Sequence, residues 1–386
     1  MNFDLEPELA ELRDRVAQFV HEEVIPREAK PFSGALVADL RAKARRDGVF
    51  GPQLPREYGG LGLGTVGMCV VFEQAGRSFL GPLALHCSAP DEGNMHLLAH
   101  HANDEQRERY LRPLIEGKIH SCFAMTEPAP GAGSDPTMLR TRATRVDGGW
   151  EITGRKWFAT AAEGAAFAVV MAVTDPDADR HQRATMFLVP TDTPGYRFVR
   201  NVSVMGGHSF GGHAELDFNH VRVPDSAIVG EAGDGFRLAQ LRLGPARLTH
   251  CMRWLGIAQR ALDIAVAYAK ERTAFGKKLT EQQSVQWSIA DSEIELHASR
   301  LMVLHAAWAH ERGSEIRHES SICKTFVAEA VNRIIDRAVQ MCGALGVSGD
   351  TPLEEFYREA RAFRIYDGPS EVHRMVIARN VLRRES

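Results

Sequence analysis

The chain reads as an α+β multidomain protein with an N-terminal α-helical domain, a central antiparallel β domain and a C-terminal four-helix bundle. Three observations predict this. Apolar residues recur three and four apart near the start; between about His120 and Gly235 that period gives way to short β-prone runs separated by turn residues; from Phe236 long helical patterns return. The implied boundaries are 1–119, 120–235 and 236–386.

In the first region Leu9, Leu12, Val16, Phe19 and Val20 mark an amphipathic helix, and Pro26, Pro31 and the glycine-rich stretch Gly59 to Gly67 break the pattern. In the second, the strands expected are Trp150 to Phe158, Phe167 to Thr174, Thr185 to Val189, Tyr196 to Val204 and Ala214 to Val223. Asp147-Gly148, Asp175-Pro176, Pro194-Gly195 and Pro224-Asp225 supply the turns. In the third, one helix carries Leu248, Cys251, Leu255, Ala258 and Leu262, and the next places Trp287, Ile294, Leu301 and Trp308 seven apart. A further helix carries Ile322, Phe326, Ile334, Ala338 and Leu345, and a short one follows Pro369. The two tryptophans are expected in the bundle core.

Bulk properties exclude several classes of partner. With 46 Lys and Arg against 50 Asp and Glu, the net charge is -4, so no overall field draws the chain to nucleic acid or to an anionic membrane. No run approaches the roughly 20 apolar residues of a membrane span. The acidic, amphipathic N-terminus MNFDLEPELAELRDRV resembles neither a secretory signal nor a transit peptide, which makes the cytoplasm the expected compartment. Cys69, Cys87, Cys122, Cys251, Cys323 and Cys342 form no CxxC pair, and the 16 histidines include no HExxH, so reduced thiols and no metal are expected.

Three motifs mislead. Gly62 to Gly67 matches GxGxxG, but no strand feeds it, so it reads as a surface loop. Gly207 to Gly211 matches the GxSxG elbow around Ser209, yet a strand pattern follows where a helix is required, which leaves a serine hydrolase as a minor alternative. Ser321 and Lys324 imitate SxxK on a helix where such spacing is commonplace.

The specific signal is Cys122-Phe123-Ala124-Met125-Thr126-Glu127-Pro128, then Gly131-Ala132-Gly133-Ser134-Asp135, then Gly154-Arg155-Lys156-Trp157-Phe158-Ala159-Thr160. It resembles the flavin-binding β domain of acyl-CoA dehydrogenases. The likeness continues through Val221-Arg222-Val223-Pro224, Glu271 to Lys277, and Tyr366-Asp367-Gly368-Pro369-Ser370-Glu371. It implies FAD lying between the β domain and the bundle, acyl-CoA as substrate, electron-transferring flavoprotein as acceptor, and a homodimer or homotetramer.

The resemblance also implies roles. Met125 and Thr126 lie along the flavin edge, Phe123 is a further contact, Phe158 stacks on the ring where the family more often has Trp, and Thr160 points its hydroxyl toward N5. Ser134 serves phosphate or pantetheine, on a loop that Ala129 and Pro130 lengthen by two residues. Arg272 and Phe275 reach the FAD of a neighbouring subunit, and Gln283, Gln340, Gly343 and Ala344 match contacts to its adenosine half. Arg247, Tyr366 and Gly368 fall at the acyl-CoA site, with Pro369 and Glu371 beside the cofactor.

Asp367 stands where most members place the Glu that removes the substrate α-proton, and the alternative position on the preceding long helix is Ala246. The thioester oxygen is polarised in the family by the backbone N–H of the base residue and a ribityl hydroxyl. Asp for Glu fits a working base in an Asp-bearing branch with an Asp-Gly-Pro-Ser-Glu-Val-His motif, which Asp367 to His373 match, an oxidase of the same fold acting on nitroalkane or acyl-CoA, or a non-catalytic subunit.

Overall fold

The computed structural model describes residues 4–206 and 212–383. The GxSxG segment with Ser209 lies outside the described residues. Two compact units emerge: the residues up to Cys87 together with those from Gly244 onward, and Ser88–Leu243.

The first unit is helical. Helix α1 (Pro7–Phe19), with proline at its start, buries Val16 and Phe19, and α2 (Gly34–Arg46) is capped by the Ser33 hydroxyl, which accepts from Leu36 N. Gly62–Gly67 is a loop only as far as Gly64; Thr65–Ala75 form α3, preceded by a 3-10 turn and not by a strand. The glycine before α3 serves a close approach, because a Cβ on Gly64 would lie 2.3 Å from Oε1 of Glu311, which accepts from Val66 N at the helix N-terminus.

After α4 (Asp91–His101) of the second unit, α5 runs from Gly235 to Glu271. It meets α3 through reciprocal glycines. A Cβ on Gly256 would sit 2.1 Å from Glu73 O, and one on Gly76 would sit 2.2 Å from Arg253 O, so neither position has room for a side chain. Next come α6 (Gln283–Glu311), α7 (Arg317–Cys342), α8 (Leu353–Phe363) and α9 (Ser370–Leu382). Helix α7 is central, packing on α6, α8 and α9.

The expected core tryptophans are a correction. Trp287, Ile294, Leu301 and Trp308 are 61%, 65%, 40% and 50% exposed. Helix α6 instead buries Ser292, Leu296, Ser299, Val303 and Ala306, mostly small residues that let it approach its neighbours closely. Helix α8 is an addition, although Leu353, Phe356, Ala360 and Phe363 repeat at helical spacing behind acidic Glu354 and Glu355. The helix after Pro369 forms as expected.

The second unit holds the sheet: β1 (Ser121–Ala124), β2 (Arg142–Val146), β3 (Gly149–Thr160), β4 (Phe167–Val173), β5 (Ala184–Pro190), β6 (Tyr196–Asn201), β7 (His213–Pro224) and β8 (Ile228–Val229). Their order is β6-β7-β3-β2-β4-β5-β8, with β1 pairing β4. Pairing is antiparallel except at β4, where β1 and one residue of β2 lie parallel. Strands β4 and β5 are buried along almost their whole length, and their continuous apolar runs show it. Among the described residues no helix is long and apolar enough to cross a membrane, and no cluster of potential metal ligands occurs. All six cysteines are buried and carry free thiols.

Candidate active site

In the second unit, the sheet brings one group of motif residues together. Phe123, next to last in β1, lies under the Arg242 guanidinium, 4.1 Å from the ring centroid. The next residues are tied to β3, because Trp157 N donates to Thr126 O (3.0 Å) and the Lys156 ammonium to Met125 O (2.9 Å). The β3–β7 register slips between Lys156 and Ala159, and Phe158 takes a left-handed backbone, φ +50°, at that bulge. The bulge turns Phe158 outward, 43% exposed, with Trp157 edge-on at 4.9 Å. Thr160 ends the strand with its hydroxyl 3.0 Å from Nδ1 of His213.

Glu127 organises the loop that carries Ser134. Its carboxylate accepts from Arg140 N (2.7 Å), Thr141 N (2.9 Å) and the Lys156 ammonium (2.8 Å). Burial pushes the Glu127 carboxyl up, but Lys156 and the Thr141 backbone outweigh it and hold the group low. Burial also brings the Lys156 ammonium down to about 8, against the pull of Glu127. A Cβ on Gly131 would strike Glu127 Oε2 at 2.3 Å, whereas Gly133 faces open space beside the exposed Ser134.

In the first unit, Arg247, Tyr366, Asp367, Gly368 and Pro369 converge. Asp367 has φ +54° and Gly368 φ +101°, a turn that costs strain at the aspartate and persists because its surroundings over-determine it. The Asp367 carbonyl accepts from Arg247 Nε (3.0 Å) and His373 Nε2 (3.1 Å). The Gly368 carbonyl accepts from Lys324 Nζ (3.1 Å), which also donates to Phe363 O (2.8 Å). A side chain on Gly368 would hit His373 Nε2 at 2.5 Å.

The Asp367 carboxylate itself meets His250, with Oδ2 2.6 Å from Nδ1. Burial would raise its pKa, but His250, Lys324 and Arg247 outweigh it and hold the group well below the ordinary carboxylate range. Burial, aided by Arg247, pushes His373 down to about 4, so it is neutral near pH 7 and donates from Nε2. Tyr366 accepts from the Trp254 indole and packs beside Phe363 (5.5 Å). Glu371 is exposed in the first turn of α9.

The remaining expected residues lie elsewhere on this unit. Arg272, Phe275, Gln283, Gln340, Gly343 and Ala344 are all exposed. Phe275 is 99% exposed in a hairpin between strands Thr273–Ala274 and Lys277–Lys278. At 1.5 Å rise per residue, Arg272 stands roughly 37 Å from Arg247 along α5.

Sequence reasoning missed His250, Lys324, His373 and Glu127 as site residues. Lys324 is a correction: the supposed SxxK coincidence is a fully buried lysine on the Asp367 turn. Glu127 and Lys156 stood inside the quoted motifs. His373 closes the Asp-Gly-Pro-Ser-Glu-Val-His motif that begins at Asp367, whereas nothing local in the sequence marked His250.

Models of the N-terminal, middle and C-terminal domains of acyl-CoA dehydrogenases match residues 6–118, 122–221 and 233–382. The chain is 40% identical to a probable acyl-CoA dehydrogenase, FadE2, of Mycobacterium tuberculosis, over 100% of its own length and 98% of that protein's. It is 39% identical to acyl-CoA dehydrogenase family member 10 of mouse, of which it spans 38%. A putative acyl-CoA dehydrogenase structure from Mycobacterium abscessus superimposes with TM-score 0.93 at 38% identity, covering 98% of this chain and 99% of that one. The chain therefore belongs to the acyl-CoA dehydrogenase family. It is an oxidoreductase acting on the CH–CH group of acyl-CoA.

Proposed function

We propose that the chain performs α,β-dehydrogenation of an acyl-CoA thioester to the trans-2-enoyl-CoA with Asp367 as the base. The cofactor is FAD. The residues of the second unit suit it: an outward aromatic face at Phe158, the hydroxyls of Thr126 and Thr160, and an open main chain at Gly133 next to Ser134. When bound, FAD supplies the acceptor for the β-hydride.

The observation that carries the reading is the Asp367 turn, a strained residue whose backbone is clamped by Arg247, His373 and Lys324 while its carboxylate stays ionised. A base must be unprotonated and fixed when substrate arrives, and both conditions are met at neutral pH. Ala246 offers no carboxylate at the alternative position.

Electron-transferring flavoprotein is the acceptor in this reading, and a homodimer or homotetramer the working assembly. The exposed Phe275, the α6 stripe and the separation of Arg272 from Arg247 support a second copy completing the cofactor site. The test is anaerobic bleaching of the flavin-reconstituted protein by acyl-CoA. Wild type bleaches and Asp367→Asn does not; equal bleaching by both removes Asp367 from the mechanism. Peroxide formation as fast as turnover with artificial acceptors assigns the chain to the oxidases instead.

A further inference from the structure

Three of the cationic or imidazole groups around Asp367 reach its turn through backbone oxygens. Arg247 and His373 hold the Asp367 carbonyl and Lys324 holds that of Gly368. His250 touches the carboxylate. A separation of 2.6 Å between a ring nitrogen and a carboxylate oxygen carries a proton, since two lone pairs at that distance repel. With Asp367 ionised, Nδ1–H of His250 is the donor and Oδ2 the acceptor. The imidazole is itself held, 5.1 Å from the Tyr366 ring and 5.9 Å from that of Phe363.

We propose that His250 is the positioning residue of the Asp367 base: it engages Oδ2, fixes the carboxylate plane, leaves Oδ1 to take the proton and sets how basic the carboxylate is. The inference rests on the reading of Asp367 as base. The Cα–H bond breaks and an O–H bond forms at Oδ1; the electron pair left at Cα becomes the new π bond as hydride leaves Cβ for the flavin acceptor. Aspartate has one side-chain torsion fewer than glutamate, so a single donor on Oδ2 suffices to orient it.

Other charged and titratable groups act on Asp367 from each packed element: Arg247 and Cys251 on α5, Lys324 on α7, Tyr366, and His373 on α9, while Arg253, Arg317 and Glu359 act on these neighbours in turn. All remain in the variants that follow. His250→Phe keeps a ring between Tyr366 and Phe363 but removes the donor, and His250→Asn restores an N–H near the Nδ1 position.

The experiment follows anaerobic flavin bleaching by a saturated acyl-CoA against pH in the full-length, flavin-loaded protein. Losing the donor makes the carboxylate easier to protonate, so the acid limb of His250→Phe moves to higher pH by about one unit and the plateau rate falls about tenfold. His250→Asn returns the limb toward wild type. Independently, histidine-selective NMR follows the His250 ring, which titrates at lower pH in Asp367→Asn because a facing negative charge is gone. An unmoved limb in a flavin-replete His250→Phe overturns the proposal, as does identical titration of His250 in both proteins. If His250→Phe fails to fold, the NMR comparison decides. An Asp367→Asn protein that bleaches normally overturns the base reading and this inference with it. A dead Asp367→Asn with an unmoved His250→Phe limb overturns this inference alone.

Discussion

Each unit contains a fully buried lysine beside its motif residues, and the two are used differently. Lys156 in the sheet faces a carboxylate, Glu127, and the pair is nearly sealed from solvent, 0% and 3% exposed. Lys324 in the helical unit donates to two carbonyl oxygens. Where a lysine neutralises its partner, the charges cancel and what remains is architecture: Glu127 is kept ionised to gather the backbone N–H groups of the Ser134 loop. Where its partners are neutral carbonyls, the positive field reaches outward, and at Lys324 it helps keep Asp367 ionised. Burial cost is met by ion pairing in one unit and by paired backbone acceptors in the other.

The largest effect should come from breaking the neutralised pair. Lys156→Met strands a buried carboxylate and should cost about 3–5 kcal/mol, read by denaturant unfolding with loss of bound flavin. Adding Glu127→Gln should recover part of that cost; no recovery would mean the pair does not act as a unit. Lys324→Met should instead leave flavin content near wild type and slow acyl-CoA bleaching about 100-fold, because the Asp367 turn loses an anchor. If flavin is lost while the residual holoenzyme turns over normally, the contrast between the lysines is wrong.

A smaller effect concerns pH. His373 titrates at about 4 in the fold against an ordinary 6.5, so its contribution to stability is complete above 6.5 and is lost as pH falls toward 4. Between pH 7 and pH 5 the wild type should lose about 2 kcal/mol through this group. His373→Asn should show a flatter Tm profile in that window, whereas Asp367, also held low, acts only below its ordinary 3.8. The smallest effect is expected at the exposed Arg112–Glu108 pair, where Arg112→Ala should leave the unfolding midpoint essentially unchanged, measured by the same unfolding.

Much of this was legible before any coordinates. Strands β3 to β7 announce themselves as β-prone runs between turns, whereas β1, β2 and β8, only 4, 5 and 2 residues long, lack the length for a pattern to stand out. Helix α8 carries a clear period in Leu353, Phe356, Ala360 and Phe363. The stripe of Trp287 to Trp308 shows the limit of periodicity: it identifies a face of a helix but not whether that face meets the chain's own core. The motif residues around Phe158 and Asp367 were legible because each set is nearly contiguous.

The sequence alone determined the three-part pattern, the family and the two motif clusters, because those depend on local order along the chain. Only the tertiary structure decided which residues act on Asp367. His250, one of 16 histidines in the chain, lies 117 positions from Asp367 in sequence, and Lys324 lies 44 from Gly368. What distinguishes them is burial beside a strained turn, and burial is a property of packing.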